Sequence, residues 1–180
     1  HLIFPNNLKN THLSIDELEF IKNNNEIVIA NDTSYYPLDF NEFNEAKGYS
    51  IDLIKAILEP YGFTFKFITT NNWSSAVNGF FENKIDILTS VFKSKNFEEK
   101  EIVYKQYLKA QDIILTRNGD IDIKNANELT GKTIALPNGY SYLDILKENG
   151  IEFNHLPVKD MKEAVRAVSS GEADATIESD

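Results

Sequence analysis

The side chains of this chain that are typed and spaced for chemistry favour hydrogen bonding over covalent work. There are no cysteines, which excludes a disulfide framework, thiolate metal ligation and a cysteine nucleophile. His1, His12 and His155 stand isolated, without metal-ligand spacing, and read as surface residues. No Gly-rich phosphate loop, nucleophile elbow or zinc motif occurs, so neither a metal nor a cofactor is expected. What remains are polar residues that follow short apolar runs. Asp32 comes just after Ile27-Val28-Ile29-Ala30. It is placed to accept a hydrogen bond from a ligand amine, or from nearby backbone N–H groups. Tyr35 suits stacking over a ligand and equally suits closing the top of a core. Thr89 and Ser90 follow Ile85-Asp86-Ile87-Leu88, and small hydroxyls at a strand's carboxyl end suit ligand contact. Lys93 and Lys95 read either as a solvated face or as a clamp for an anion.

The elements that must position these residues show themselves in a repeat. Ala76-Val77, Phe80-Phe81 and Asn83 to Ser90 align with Ala164-Val165, Val168 and Gly171 to Glu178. Each copy reads as a helix, a turn, an aspartate and a short apolar strand. A repeated α/β unit predicts two similar lobes, and a cleft between lobes is a natural ligand site. The twin aspartates, Asp86 and Asp174, read as structural, each at a strand start where a carboxylate can tie down the preceding turn. Trp73 shares a helical stripe with Ala76 and Phe80 and reads as packing.

The rest of the chain fills in around the repeat. Ser14 and Glu17 form a capping box before a short helix through Leu18, Phe20 and Ile21. Strands are expected at Ile27–Ala30, Phe63–Phe67, Ile85–Leu88, Ile113–Leu115, Thr133–Leu136, Ile151–Leu156 and Ala173–Ile177. Helices are expected over about Ser50–Leu58, from Trp73, near Asn125–Leu129, after Ser141 as N-cap, and from Met161. Alternation of this kind argues for α/β lobes with mainly parallel sheets. Ligands of such sheets sit at the strands' carboxyl ends, which directs attention to loops 31–38, 89–95, 137–142 and 178–180.

Composition sets the outer bounds. The 180 residues are 42% hydrophobic and 12% aromatic, enough for a core in one domain or two small lobes. The net charge of −10 disfavours nucleic acid and anionic membrane as partners, and it also serves solubility. No apolar run is long enough to span a bilayer. No signal peptide is visible at His1-Leu2-Ile3-Phe4-Pro5. The expectation is either a cytosolic protein or a segment whose targeting sequence lies elsewhere.

In the order and spacing of these segments the chain resembles the family 3 bacterial extracellular solute-binding proteins, and in particular the venus-flytrap sensor domains of membrane signalling proteins. The resemblance rests on Ser14 to Phe20, Ile27 to Asp32, Tyr35 to Phe40, Gly48 to Leu53, Trp73, Lys84 to Leu88, Leu129 to Ala135 and Gly171 to Ala175. It implies a periplasmic-binding-protein-like type II α/β fold, two lobes joined by a hinge and closing over a small ligand. Lead-in and leading helix would occupy residues 1–25, lobe one 26–111, the hinge strand 112–117, and lobe two 118–180, stopping before the family's return crossing. The ligand-facing positions implied are Asp32, Tyr35, Leu38, Thr89, Ser90, Val91 and Lys93 in lobe one, and Asn138, Tyr140, Ser141 and Ser179 or Asp180 in lobe two.

One departure bears on the ligand. Amino-acid binders of the family carry an arginine clamp for the ligand carboxylate, and Glu98 stands at that position here. Lys93 and Lys95 are the nearest cationic replacements; a cationic ligand, a neutral one or none at all are the other readings. The resemblance implies a periplasmic or extracytoplasmic sensor of a small polar, amino-acid-like solute, feeding a histidine kinase or diguanylate cyclase. Membrane contact would come only through segments outside this chain, and exposed sheet edges would invite a homodimer. A free transport receptor is the alternative, and a cyclic-acid dehydratase on the same fold a further one.

Overall fold

The computed structural model describes residues 13–70, 72–91, 102–119 and 123–179. Two compact units divide the chain. One takes the chain up to Thr70 together with Ser75–Ser90, and the other takes Asn71–Ser74 together with the chain from Val91 on.

The first unit opens with α1 (Ile15–Asn23), whose capping box is formed as the sequence predicts. The Ser14 hydroxyl accepts from the Glu17 N–H at 3.2 Å, and the Glu17 carboxylate accepts from the Ser14 N–H at 2.7 Å. That second bond holds the Glu17 carboxyl below its ordinary value. No residue of α1 is buried. β1 (Glu26–Asn31) then runs parallel to β5 (Thr64–Thr69), with Ile29 opposite Phe67, and bridges in parallel from Ile29 to Ile87. The segment Ile85–Leu88, expected as a strand, contributes that one bridge and no longer ladder. Its two neighbours explain the buried run in β1, where Ile29 and Ala30 are fully enclosed. α2 (Tyr49–Leu58) turns Ile51 onto this core, and α3 (Trp73–Phe81) adds Ala76. Gly79 lets Ile85 close beneath α3; a Cβ there would lie 3.0 Å from Ile85 Cδ1.

Between β1 and α2 lies a small antiparallel sheet: β2 (Ser34–Tyr35), β3 (Asp39–Glu42) and β4 (Glu45–Lys47). Sequence reasoning expects only an aromatic loop here. The β3–β4 turn carries Phe43 at φ 54° and Asn44 at φ 62°. Hairpins advertise such left-handed pairs with Asn-Gly or Asp-Gly, and Phe-Asn gives no such signal. Gly48 ends the flap at φ 118°, where a Cβ would overlap the Leu38 carbonyl oxygen.

The second unit is a four-stranded sheet in the order β6 (Asp112–Thr116), β9 (Ala175–Ser179), β7 (Thr133–Pro137), β8 (Asn154–Val158). β7 is parallel to β8 and β9, while β6 is antiparallel to β9. The strand expected over Ile151–Leu156 begins only at Asn154, because Ile151 packs inward against α4 (Ser141–Glu148). Side chains alternate across the sheet as strand geometry requires. Ile134, Leu136, Ala175 and Ile177 face α4, contacting Tyr142 and Leu146. Ala135 faces the opposite way, against Ala164, Ala167 and Val168 of α5 (Met161–Ser170). Small residues on that side bring α5 close to the sheet. Asp160 caps α5 through the Glu163 N–H at 2.9 Å.

The repeat predicted from sequence is reproduced down to single hydrogen bonds. α3 and α5 each end in a left-handed residue, Asn83 at φ 57° and Gly171 at φ 86°. Lys84 and Ile85 donate to the Gly79 carbonyl, just as Glu172 and Ala173 donate to that of Ala167. Asp86 accepts from the Val28 N–H at 2.8 Å, and Asp174 from the Thr133 N–H at 2.7 Å. Both aspartates are structural, as expected, but the bond made is different. Each carboxylate reaches across to the neighbouring parallel strand rather than tying its own turn.

Candidate functional site

In both units the predicted site residues gather at the carboxyl ends of parallel strands. In the first unit, β1 delivers Asp32 to Leu38, and the segment bridged to β1 delivers Thr89 and Ser90. Asp32 Oδ1 accepts from the Ser34 N–H at 2.8 Å, so the structure realises its backbone-capping reading. Tyr35 and Leu38 are half-buried and joined by a bond from the Leu38 N–H to the Tyr35 carbonyl at 2.9 Å. Tyr36 is exposed and stacks on Phe40 at 4.1 Å between centroids.

Thr89 and Ser90 are built into the unit. Thr89 is only 3% exposed, and its hydroxyl donates to Asp39 Oδ2 at 2.6 Å. Ser90, held at φ 56°, lies with its hydroxyl 2.8 Å from that of Ser50, in the first turn of α2. Asp39 is fully enclosed and accepts a second bond, from Asn31 Nδ2 to Oδ1 at 2.6 Å. Burial raises its carboxyl from the usual carboxylate range to about 6; the Thr89 and Asn31 donors pull the other way, and the Asp32 charge adds to the rise. The Asn31 side chain also donates to the Phe40 carbonyl at 3.1 Å and accepts from Asn41 and from Thr69 at the end of β5.

Sequence reasoning gives this network no role. Its available signals are a polar residue, Asn31, closing an apolar run, and Asp39 set between Leu38 and Phe40. Neither betrays burial, since a flap of polar strands hides them both.

In the second unit, β7 ends at Pro137 and the loop of Asn138, Gly139 and Tyr140 leads into α4. The Tyr140 N–H donates to the Pro137 carbonyl at 3.3 Å. Asn138 is exposed, and Tyr140 and Ser141 are half-buried. Tyr140, not the expected Ser141, occupies the N-cap of α4, and Ser141 is the first helical residue. The next residue, Tyr142, is buried and donates its hydroxyl to Asp112 Oδ1 at 2.8 Å, tying α4 to β6. Ser179 ends β9, opposite Asp112, with its N–H on Glu178 Oε1 at 2.9 Å. Because β7 and β9 are parallel neighbours, Asn138 to Ser141 and Ser179 emerge at the same sheet edge.

Val91 accepts from the Tyr104 hydroxyl at 3.2 Å. Lys93, Lys95, Glu98 and Asp180 lie outside the described residues, as do His1 and His12. His155 is bonded through Nε2 to the Leu136 carbonyl at 2.8 Å. Arg117 donates to the Val168 carbonyl at 2.7 Å, at the carboxyl end of α5, a favourable place for a cation. Among the described residues no group of His, Asp and Glu is arranged to hold a metal ion, and no helix is long and apolar enough to cross a membrane.

Parallel strands with polar loops at their carboxyl ends, repeated in two α/β units, define the class of type II periplasmic binding-protein folds. The chain belongs to the bacterial extracellular solute-binding proteins, family 3, whose sequence profile matches residues 27–171. The L-cystine-binding protein TcyA of Bacillus subtilis (strain 168) is 22% identical over 158 residues, 87% of this chain and 58% of that protein. The chain thus spans under three fifths of that relative's length. Among solved structures, an arginine-bound mutant of ArgBP from T. maritima superposes with a TM-score of 0.76 at 19% identity, covering 91% of this chain and 77% of the other. The periplasmic VFT2 domain of Bordetella pertussis BvgS gives a TM-score of 0.74 at 18% identity, covering 92% and 71%. These two likenesses are of fold.

Proposed function

We propose that this chain is the solute-binding part of an extracytoplasmic bacterial sensor, taking a small polar, amino-acid-like molecule on the loops at its parallel strands' carboxyl ends. The observation that carries the reading is the placement of Asp32 to Leu38 and Asn138 to Ser141 at matching strand ends of a chain whose family binds solutes. These loops offer hydrogen-bond acceptors, hydroxyls and aromatic rings, the equipment for orienting a small polar molecule. Lobe one would be residues 26–111 and lobe two 118–180, with the strand at 112–117 as hinge. Solute favours whichever arrangement of the lobes it binds better, and a membrane-linked element reads the change.

The sensor reading, rather than a free transport receptor, rests on α1, a capped helix set before β1. The curated relatives the chain resembles are named as binding proteins, which favours binding over catalysis. Thermal-shift measurements on the full-length protein against amino acids including L-cystine and L-arginine, polyamines and small acids test the binding. A saturable rise in Tm with one class is the expected result, and no response across the panel contradicts it. Sizing the native gene product tests the sensor assignment: it should carry a membrane span and an output domain. A product that ends with its own binding lobes contradicts that assignment alone.

A further inference from the structure

We infer that Asp39 is a positioning residue that locks the two solute-facing loops of the first unit to each other before any solute arrives. The inference rests on the solute-site reading above for its purpose, but not for its geometry. The carboxyl ends of the parallel strands are cross-linked by the buried side chains of Asn31, Asp39 and Thr89, with the exposed Thr69 of β5 joined to them. Asn31 ends β1, Thr69 ends β5, and Thr89 follows the segment bridged to β1. Thr89 and Asn31 both donate to the Asp39 carboxylate at 2.6 Å, one to each oxygen, and Asn31 accepts from Thr69 at 3.0 Å. Asp39 itself sits one residue beyond the Asp32–Leu38 loop and also accepts from the Asp32 backbone, so its bonds pin both ends of that loop and the 89–90 loop to one point. The Ser50–Ser90 contact at 2.8 Å fastens the same loop to α2.

A carboxylate is an expensive choice for this position. It is fully enclosed, and Asp32 is the charged group acting on it. Lys47, on β4, is engaged instead by Glu42 at 2.9 Å. Among the described residues its hydrogen-bond donors are the neutral Thr89 and Asn31 side chains and the Asp32 backbone, a costly setting for a buried charge. In return, short charge-assisted hydrogen bonds hold more strongly than neutral ones. An asparagine would fit the same space, accepting from Asn31 and donating to the Thr89 hydroxyl, which can turn to accept. Thr89→Val keeps the volume and removes the donor.

Amide hydrogen exchange of the solute-free protein, followed by NMR residue by residue, tests this without reference to any solute. Thr89→Val should raise exchange at residues 32–38 and 89–90 by roughly tenfold or more, the equivalent of one lost hydrogen bond to a charged group. Thr89→Ser, which restores the hydroxyl, should return exchange to within a few-fold of the wild type, and Asp39→Asn should do nearly as well. The Asp39 carboxyl should titrate above its wild-type midpoint in Thr89→Val and revert in Thr89→Ser, a response that packing alone does not produce. Unchanged exchange in Thr89→Val overturns the inference, as does loosening of only one loop. Equal loosening throughout α2 and β5 also overturns it, because Asp39 would then hold the whole unit rather than its loops. Whether a solute binds is a separate result, so failure here leaves the solute reading standing.

Discussion

Asp86 and Asp174 occupy the same place in the two halves of the chain, yet their settings differ. Asp86 is exposed and Asp174 half-buried, while each takes one backbone N–H from the adjacent strand. Water replaces a lost acceptor more readily at an exposed site, so Asp174→Ala should cost about 2 kcal/mol and Asp86→Ala about 1 kcal/mol. Urea unfolding of the two variants checks this; a larger loss for Asp86→Ala contradicts it. The structural role of the pair was legible because identical spacing in two copies points to architecture, whereas the receiving N–H groups of Val28 and Thr133 lie far away in sequence. Asp39 was not legible at all, since nothing in Leu38-Asp39-Phe40 announces burial. It has a measurable signature. Its carboxyl ionises at about 6 in the folded protein against an ordinary 3.8, so the folded state holds the proton more tightly. Stability therefore falls as pH rises from about 4 to about 6. The wild type should lose about 2 kcal/mol across that window relative to Asp39→Asn, which has nothing there to titrate. Parallel stability curves for the two proteins from pH 4 to 7 would contradict the assignment.

At the scale of elements, the helices α2, α3 and α5 were readable from apolar spacing, because each buries one face on a sheet and exposes the other. β1 and β7 were readable for the opposite reason: flanked on both sides, they need unbroken apolar runs. The flap of β2, β3 and β4 escaped notice. Its strands are two to four residues long and mostly polar, and its turn uses Phe43 and Asn44 at positive φ without a glycine. Phe43 is 88% exposed, and Lys47 Nζ lies 5.7 Å from its ring centroid. A bulky residue in the left-handed region is strained, and asparagine tolerates that region far better. Phe43→Asn should thus stabilise the protein by about 0.5 kcal/mol after the loss of the Lys47 contact. A lower Tm in that variant would show that the turn relies on the aromatic ring.

For the whole molecule, two α/β units and a profile match over residues 27–171 place the chain in the bacterial extracellular solute-binding proteins, family 3. The order of segments carried that conclusion in the sequence, though no one motif did. The ligand's chemistry was less legible, since the expectation about it turned on Glu98 and Lys93, which lie outside the described residues. The central claim is that the strand-end loops of this chain bind a small polar solute. Isothermal titration with the solute that raises Tm tests it most directly, using the wild type, Tyr35→Ala in the first unit and Ser141→Ala in the second. The account predicts saturable binding by the wild type and at least a roughly tenfold weaker affinity in one or both variants, the loss of about 1.4 kcal/mol of contact. Undiminished affinity in both variants would contradict it.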